Sequence, residues 1–563
     1  MRQDAPTPEQ ETNNPKTSLG LWDTTSLIVG IVIGAGIFET PSSIFHNTTY
    51  LWQALGLWVI GGFLSFVGAL CFAELATTFP RSGGEYVYLG RGYGSWLGFL
   101  FAWAQFAILR PAGSVGFIAF LTAIFAGAVI GIDNTEWWKE HLGLDPGLWK
   151  SKFYIMVAAG AVAVFTVLNI LGVKFGKTTQ NILTSLKMIG IVGIVVVGFL
   201  AFFSGKAEST TTIVTGTLVK HTNKGFTLKE GERETAFSLS EKFKVKLKGS
   251  FKDPKTKQPY TLQVIQEEKP VRIIVKKGTH SALQVEETSP PLSGLVSAMV
   301  LVMLTYGGWH EAGYVASELN HKKRTIPRSL MLGTSAILII YLLMNLAYAY
   351  GLGFVAAGES QGIAAELFES VVGPMGAKVI SILMLISALG GLNGTIFTTS
   401  RIYNEMGKDH PLFAPLGKWN DHLGTPVTSL VLQGIITIGM IVAVGTWFEG
   451  IAGFDAMGRC SAAVFWLFFL LTGISLFVLR YLYPNVERPF KVPLYPFTPL
   501  IFSLLSLGMM TSALIGLWEP SLVGLVILLV GLPLFGISEF LRRLRKPKSD
   551  PSENDNALSL DSD

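Results

Sequence analysis

Twelve mostly apolar stretches, each about twenty residues or longer, recur along this chain of 563 residues. They lie near 20–45, 51–79, 94–130, 152–172, 180–203, 291–318, 329–352, 376–400, 426–446, 452–480, 497–517 and 520–541. A helix rises about 1.5 Å per residue, so about 20 residues cross a hydrocarbon core of about 30 Å. In lipid each span must satisfy its own backbone polar groups, and runs of this length do so as helices. Residues are 50% hydrophobic and only 15% charged, which excludes an ordinary soluble protein of this size. The pattern predicts an all-α polytopic membrane protein with twelve transmembrane helices.

Two of the stretches are interrupted by glycine-rich runs, each about 15 residues in. The first reads GIVIGAGIFETP, Gly30 to Pro41, and the second LTYGGWHEAG, Leu304 to Gly313. A broken helix frees backbone groups, and in a membrane that is tolerated only where they are buried or line a cavity. Paired interruptions in corresponding halves of a chain point to a transporter's substrate site. At the first break Ile33, Gly34, Ala35, Gly36 and Ile37 are the candidates, because small residues let a ligand reach the backbone. The outer half-helix is expected to start near Glu39–Thr40–Pro41, its positive end suiting a carboxylate. At the second, carbonyls around Thr305 and Tyr306 suit an ammonium group, with Tyr306, Gly307, Gly308 and Trp309 walling a side-chain pocket. The alternative is a glycine-mediated helix-packing site.

Lys/Arg residues gather in alternate loops, at Arg81 and Arg91, Lys174 and Lys177, Lys322 to Arg328, Arg401 to Lys418, and Arg480 to Lys491. This alternation predicts both termini in the cytoplasm. The chain then divides into a cytoplasmic tail 1–19, helices one to five over 20–203, an insertion at 204–290, helices six to ten over 291–480, helices eleven and twelve over 481–541, and a tail 542–563. The basic start of that last tail suits anionic lipid headgroups.

The insertion carries 16 Lys/Arg against 10 Asp/Glu. Its β-branched runs TTIVTGTLV, FKVKLK, YTLQVI, VRIIV and ALQV, separated by turn signals, predict a small extracytoplasmic β domain of about five strands. Cys71 and Cys460 are the only cysteines and read as buried thiols.

Two cations sit inside spans. Lys187 lies in NILTSLKMIG, and Arg110 in ILRPAGS. An intramembrane charge is a functional hypothesis by default, snorkelling being the alternative for Lys187. For Arg110 the expected partner is Glu74, as a structural pair; otherwise Arg110 contacts substrate or a gate.

Five motifs in order carry a resemblance: GAGIF followed by Pro41, AELATTFPRSGGEYVYL, WAQFAILRPAGS, TYGGWHEAGYVASELNHKKRTIPRSL, and SALGGLNGTIFTTSR with HPLFAPLGKWN and TPV. From Leu19 to Pro426, outside the insertion, the chain resembles the amino acid–polyamine–organocation superfamily and its L-amino acid transporter branch. The resemblance implies a five-plus-five inverted repeat with two appended helices, the first and sixth unwound at their centres. It also implies that Lys187 stands in for the sodium ion of sodium-coupled relatives, tethering helix one to helix eight. Departures from the family pattern are Glu39, His310 with Glu311, and Leu304 at an aromatic gate position. Glu39 either favours cationic substrates or caps the outer half-helix. His310 and Glu311 either move protons or cap the inner half-helix, capping being preferred. Residues 131–151 lack the cysteine that links related carriers to a heavy chain, so no disulfide-linked heavy subunit is expected.

The expected function is alternating-access transport of neutral L-amino acids across the plasma membrane, sodium-independent, by exchange or facilitation. Its partners are the amino acid and membrane lipid, with no nucleic acid, cofactor or metal, and no enzyme activity. One alternative is a proton-coupled permease for cationic amino acids or polyamines using Glu39, His310 and Glu311. Another is a ligand sensor on a carrier scaffold, reporting through the β insertion.

Overall fold

The computed structural model describes residues 19–111, 113–132, 139–140, 146–204, 211–222, 225–230, 233–246, 270–276, 281–287, 291–373, 375–447 and 451–545. The helices are α1 (Leu21–Val32), α2 (Gly36–His46), α3 (Leu51–Thr78), α4 (Glu85–Tyr93), α5 (Ser95–Ala104), α6 (Val115–Ile130), α7 (Pro146–Ile170) and α8 (Val173–Phe203). After the insertion come α9 (Pro291–Thr305), α10 (Lys322–Leu352), α11 (Phe354–Glu359), α12 (Ile363–Val372), α13 (Met375–Asp409) and α14 (Val427–Trp447). The chain ends in α15 (Ile451–Leu482), α16 (Phe497–Gly516), α17 (Trp518–Leu529) and α18 (Gly531–Arg545).

Among the described residues nine helices are long and apolar enough to cross a membrane, taking Trp518–Leu544 as one, and α1 with α2 makes a tenth bent by 48°. The remaining third and sixth stretches are both divided. In the third, read from the sequence as one stretch near 94–130, a π-helical turn, Gln105–Leu109, closes α5 and the helix resumes at Val115. Such turns are rare and concentrate at functional sites. The sixth is α9, a turn at Tyr306–Gly308, and ten residues of 3-10 helix, Trp309–Glu318. Runs of 3-10 helix beyond a few residues are uncommon, so this half-span stands out.

The broken first span lies against α8, α10 and α13, and α3 lies against α10. Glycine sets the closest approaches, as expected where helices meet without a hydrophobic drive between them. A Cβ on Gly68 would fall 2.7 Å from the Trp309 ring, and one on Gly198 2.6 Å from the Ala347 Cβ.

Two sets of contacts mark opposite ends of the bundle. At one, Leu19 donates to the Glu318 carbonyl, Arg401 pairs with Glu318 at 2.7 Å, and Asp23 with Lys177 at 3.2 Å. Arg81 binds Glu405 and, at 2.9 Å, Asp409. At the other, Ser42 donates to the Ser360 carbonyl and His46 meets Glu359 at 3.1 Å, so α2 is held to the α11–α12 connection.

In the insertion, β1 (Thr211–Thr222), β2 (Gly225–Glu230), β3 (Arg233–Lys246), β4 (Pro270–Lys276) and β5 (Ser281–Glu287) close a barrel in the order β1-β2-β3-β5-β4. All neighbours are antiparallel except β3 and β5. Phe226 with Leu228, and Val271 with Ile273, alternate inward and fill it. Strand β2 was not among the runs picked from the sequence, and the YTLQVI run lies outside the described residues, as do 1–18, 546–563 and most of the 131–151 loop.

Candidate substrate site

The first break follows from composition. Gly34, Ala35 and Gly36 bring no side chain large enough to hold a helix in register, and α1 ends at Val32. The second helix resumes at Gly36, three residues before the expected start at Glu39, which places Pro41 inside α2 rather than in its first turn. The N–H groups of Ala35, Gly36 and Ile37 donate to no group among the described residues. These are the unpaired donors of a helix N-terminus, aimed where an anion is favoured.

The second break lies beside the first. Gly308 takes φ +111°, and a Cβ there would fall 2.8 Å from Ile31 Cγ2. This position therefore requires glycine twice over, for conformation and for space. The hydroxyls of Thr40 and Thr305 are 3.1 Å apart, and the Tyr341 hydroxyl lies 3.0 Å from both the Val32 and Thr305 carbonyls. Tyr341 thus pins the two ruptured turns together. One side stays open: a Cβ on Gly34 would meet nothing within 4 Å, and one on Gly307 only the Leu304 carbonyl. Leu304 (55% exposed) and Glu39 are also accessible.

Lys187 is fully buried and does not snorkel. Its Nζ donates to the Gly30 carbonyl at 2.8 Å and to the Ile33 carbonyl. Ser387, on α13, donates to the same Ile33 oxygen at 3.0 Å. Lys187 on α8 and Ser387 on α13 therefore meet on the carbonyl end of α1, where a positive charge is favoured.

Arg110 follows the π-helical turn. Its partner is Glu311 at 2.8 Å, not Glu74. Glu74 faces Arg480 at 2.6 Å and Arg488 at 3.4 Å, and accepts from the Val492 N–H. The extra turn residue redirects Arg110 into the bundle, where Gln105 accepts from its Nε at 2.7 Å. The second Glu311 oxygen accepts from Thr398 at 2.5 Å. Glu311 lies in the first turn of the 3-10 segment, where the capping expectation places it, and no side chain hydrogen-bonds the Gly308 cap. Glu39 lies in the first turn of α2, makes no cap hydrogen bond, and has no hydrogen-bond or ion-pair partner among the described residues.

Two further expectations change. Tyr306 and Trp309 do not wall the open side of the break. Tyr306 donates to the Trp58 carbonyl at 3.1 Å with its ring against Trp58 and Tyr341. Trp309 lies among Phe72, Phe469 and Phe502. Each aromatic sits where α3 offers a glycine or an apolar face, and this leaves Leu304 and the backbone of Gly307 on the open side. The expectations also left out Tyr341, Ser387, Thr398 and Glu85. The last three stand inside motifs already visible in the sequence, whereas a tyrosine in an apolar helix gives no such signal.

The arrangement is a backbone-lined opening between two broken helices, braced by buried charges. The amino acid permease family profile matches residues 19–240 and 250–532. The chain belongs to the amino acid permease family. The permease is 27% identical over 513 residues to the mouse b(0,+)-type amino acid transporter 1, covering 91% of this chain and 85% of that protein. It is 26% identical over 528 residues to the human cystine/glutamate transporter, covering 94% and 86%. It is 25% identical over 541 residues to the human large neutral amino acids transporter small subunit 2, covering 95% and 83%. This permease is an integral multi-pass membrane protein of the amino acid–polyamine–organocation superfamily, in its L-amino acid transporter branch, and it transports amino acids.

Proposed function

We propose that this permease carries neutral L-amino acids across the plasma membrane by alternating access, without sodium, as an exchanger or facilitator. Both termini lie in the cytoplasm, twelve helices span the bilayer, and the barrel stands outside the cell. The substrate α-carboxylate meets the free N–H groups of Ala35 to Ile37, and its α-ammonium meets backbone carbonyls near Thr305 and Tyr306. No disulfide-linked heavy subunit is needed. The observation that carries this reading is the Lys187 ammonium on the Gly30 and Ile33 carbonyls. A permanently attached cation there neutralises the carbonyl end of α1, a task that otherwise falls to a diffusible ion.

Uptake of a labelled neutral amino acid mixture into proteoliposomes tests it, with and without internal unlabelled amino acid, each in sodium and sodium-free buffer. Uptake without sodium that internal substrate accelerates is the expected result. Strict sodium dependence overturns it.

A second reading concerns the side chain. Glu39, in the first turn of α2, is exposed and has no partner among the described residues. An uncompensated carboxylate is tolerated where water reaches it and not against lipid. This supports Glu39 lining an aqueous approach, where it would favour cationic amino acids.

A further inference from the structure

A second cluster of ionisable groups lies behind the break, and its charges do not cancel. Glu85 opens α4 and His310 is the second residue of the 3-10 segment. His310 Nε2 lies 3.8 Å from Glu85 Oε1, and both side chains are buried. The apolar walls come from α3 and α15: the imidazole centroid is 6.0 Å from Phe72, 5.8 Å from Phe465 and 4.8 Å from Phe469. Trp309 closes a further side.

The titratable and charged groups facing the pair come from four elements. Tyr88 stands on α4, Tyr314 and Glu311 on the 3-10 segment, Arg110 on the third stretch, and Tyr403 on α13 beside Arg110. Arg110 is the only permanent cation among them, and Glu311 already takes it at 2.8 Å. Glu85 Oε1 accepts from the Tyr314 hydroxyl at 3.2 Å. Its Oε2 has no hydrogen-bond partner among the described residues, and neither does His310 Nδ1.

With every carboxyl ionised and the imidazole neutral, the cluster would hold two negative charges against one positive. An unpaired charge in a site that water does not reach is strongly disfavoured. One proton on the Glu85 carboxyl removes the imbalance.

We propose that Glu85 and His310 together form a proton-binding site whose occupancy governs the movement of the broken sixth stretch. The proposal rests on the transport reading for its consequence, not for the site itself. His310 is two residues from Gly308, so any rearrangement of the break moves the imidazole relative to Glu85. When the proton leaves for water, the cluster keeps a net negative charge, and arrangements that part α4 from the 3-10 segment and admit water are favoured. When it returns, the closed packing is restored. Proton occupancy therefore sets the rate at which the carrier changes state.

The full chain in proteoliposomes serves for two measurements, each on wild type, E85Q and H310N. Infrared difference spectra across pH read protonated carboxyl groups directly. Exchange of a labelled neutral amino acid mixture across the same pH range reads the consequence. The expected result is a titrating carboxylic acid absorption in wild type that E85Q lacks and that is displaced along the pH axis in H310N. Exchange in wild type changes severalfold over the range, and this dependence is lost in E85Q and shifted in H310N. An E85Q profile that follows wild type overturns the proposal, as does the absence of a carboxyl signal assignable to Glu85. Should E85Q fail to fold, an H310N titration identical to wild type overturns it alone. Absence of exchange in every protein at every pH would strike the transport reading, while the infrared signal still decides the proton site.

Discussion

The Nζ of Lys187 lies 2.8 Å from the carbonyl oxygen of Gly30, joining α8 to the last turn of α1. Removing this amine leaves the Gly30 carbonyl without its buried donor, while the Ile33 carbonyl keeps only Ser387, and an unsatisfied buried group costs about 1–3 kcal/mol. Lys187→Ala is expected to lower exchange by at least about tenfold, since about 1.4 kcal/mol corresponds to a factor of ten. Initial rates at matched protein levels in proteoliposomes check this. An unchanged rate would show that the tether is dispensable.

Gly34 and Gly308 separate space from strain. An alanine at Gly34 meets no atom within 4 Å. Gly34→Ala should leave thermal stability unchanged while raising the concentration needed for half-maximal uptake, because the new methyl group enters the substrate's space. Gly308→Ala faces both a positive φ and the Ile31 contact, so it should lower thermal stability and transport together. Thermal denaturation in detergent beside uptake assays distinguishes the two.

Arg110 and Glu311 are each nearly inaccessible and depend on one another. Losing one partner of a buried pair leaves an uncompensated charge, at about 3–5 kcal/mol. Arg110→Met should therefore destabilise the protein severely. Arg110→Met with Glu311→Gln should recover part of the loss, as a double-mutant cycle on melting temperature will measure.

Glu39 is exposed and has no partner among the described residues. Glu39→Gln should weaken competition by lysine against a labelled neutral substrate while leaving competition by leucine near wild type. Equal inhibition by lysine in both proteins would remove Glu39 from the substrate path.

The bend between α1 and α2, the rupture after Thr305 and the buried position of Lys187 were legible because each breaks a strong local rule. Glycine runs do not sustain a membrane helix, and a lysine in an apolar span demands a partner. What the sequence withheld was direction. Arg110 and Glu74 sit in neighbouring apolar stretches, yet Glu74 turns to Arg480 and Arg110, just after the π-helical turn at Gln105–Leu109, meets Glu311 instead. Likewise Tyr306 and Trp309 stand within the break motif, yet glycines at 61, 62 and 68 open room for both rings on the α3 side. Such pairings depend on which faces of distant helices meet, which no single stretch encodes. In the insertion, alternation revealed most strands, but the short GFTLKE segment carries too few β-branched residues to stand out.

The 3-10 winding of Trp309–Glu318 has a mechanical consequence. Ten residues wound this way extend about 20 Å, at about 2.0 Å each, whereas the same ten as α-helix extend about 15 Å. The half-span thus holds about 5 Å of slack, near one α-helical turn. Rewinding it as α-helix would shorten the path between Gly308 and the Glu318–Arg401 anchor and rotate its side chains.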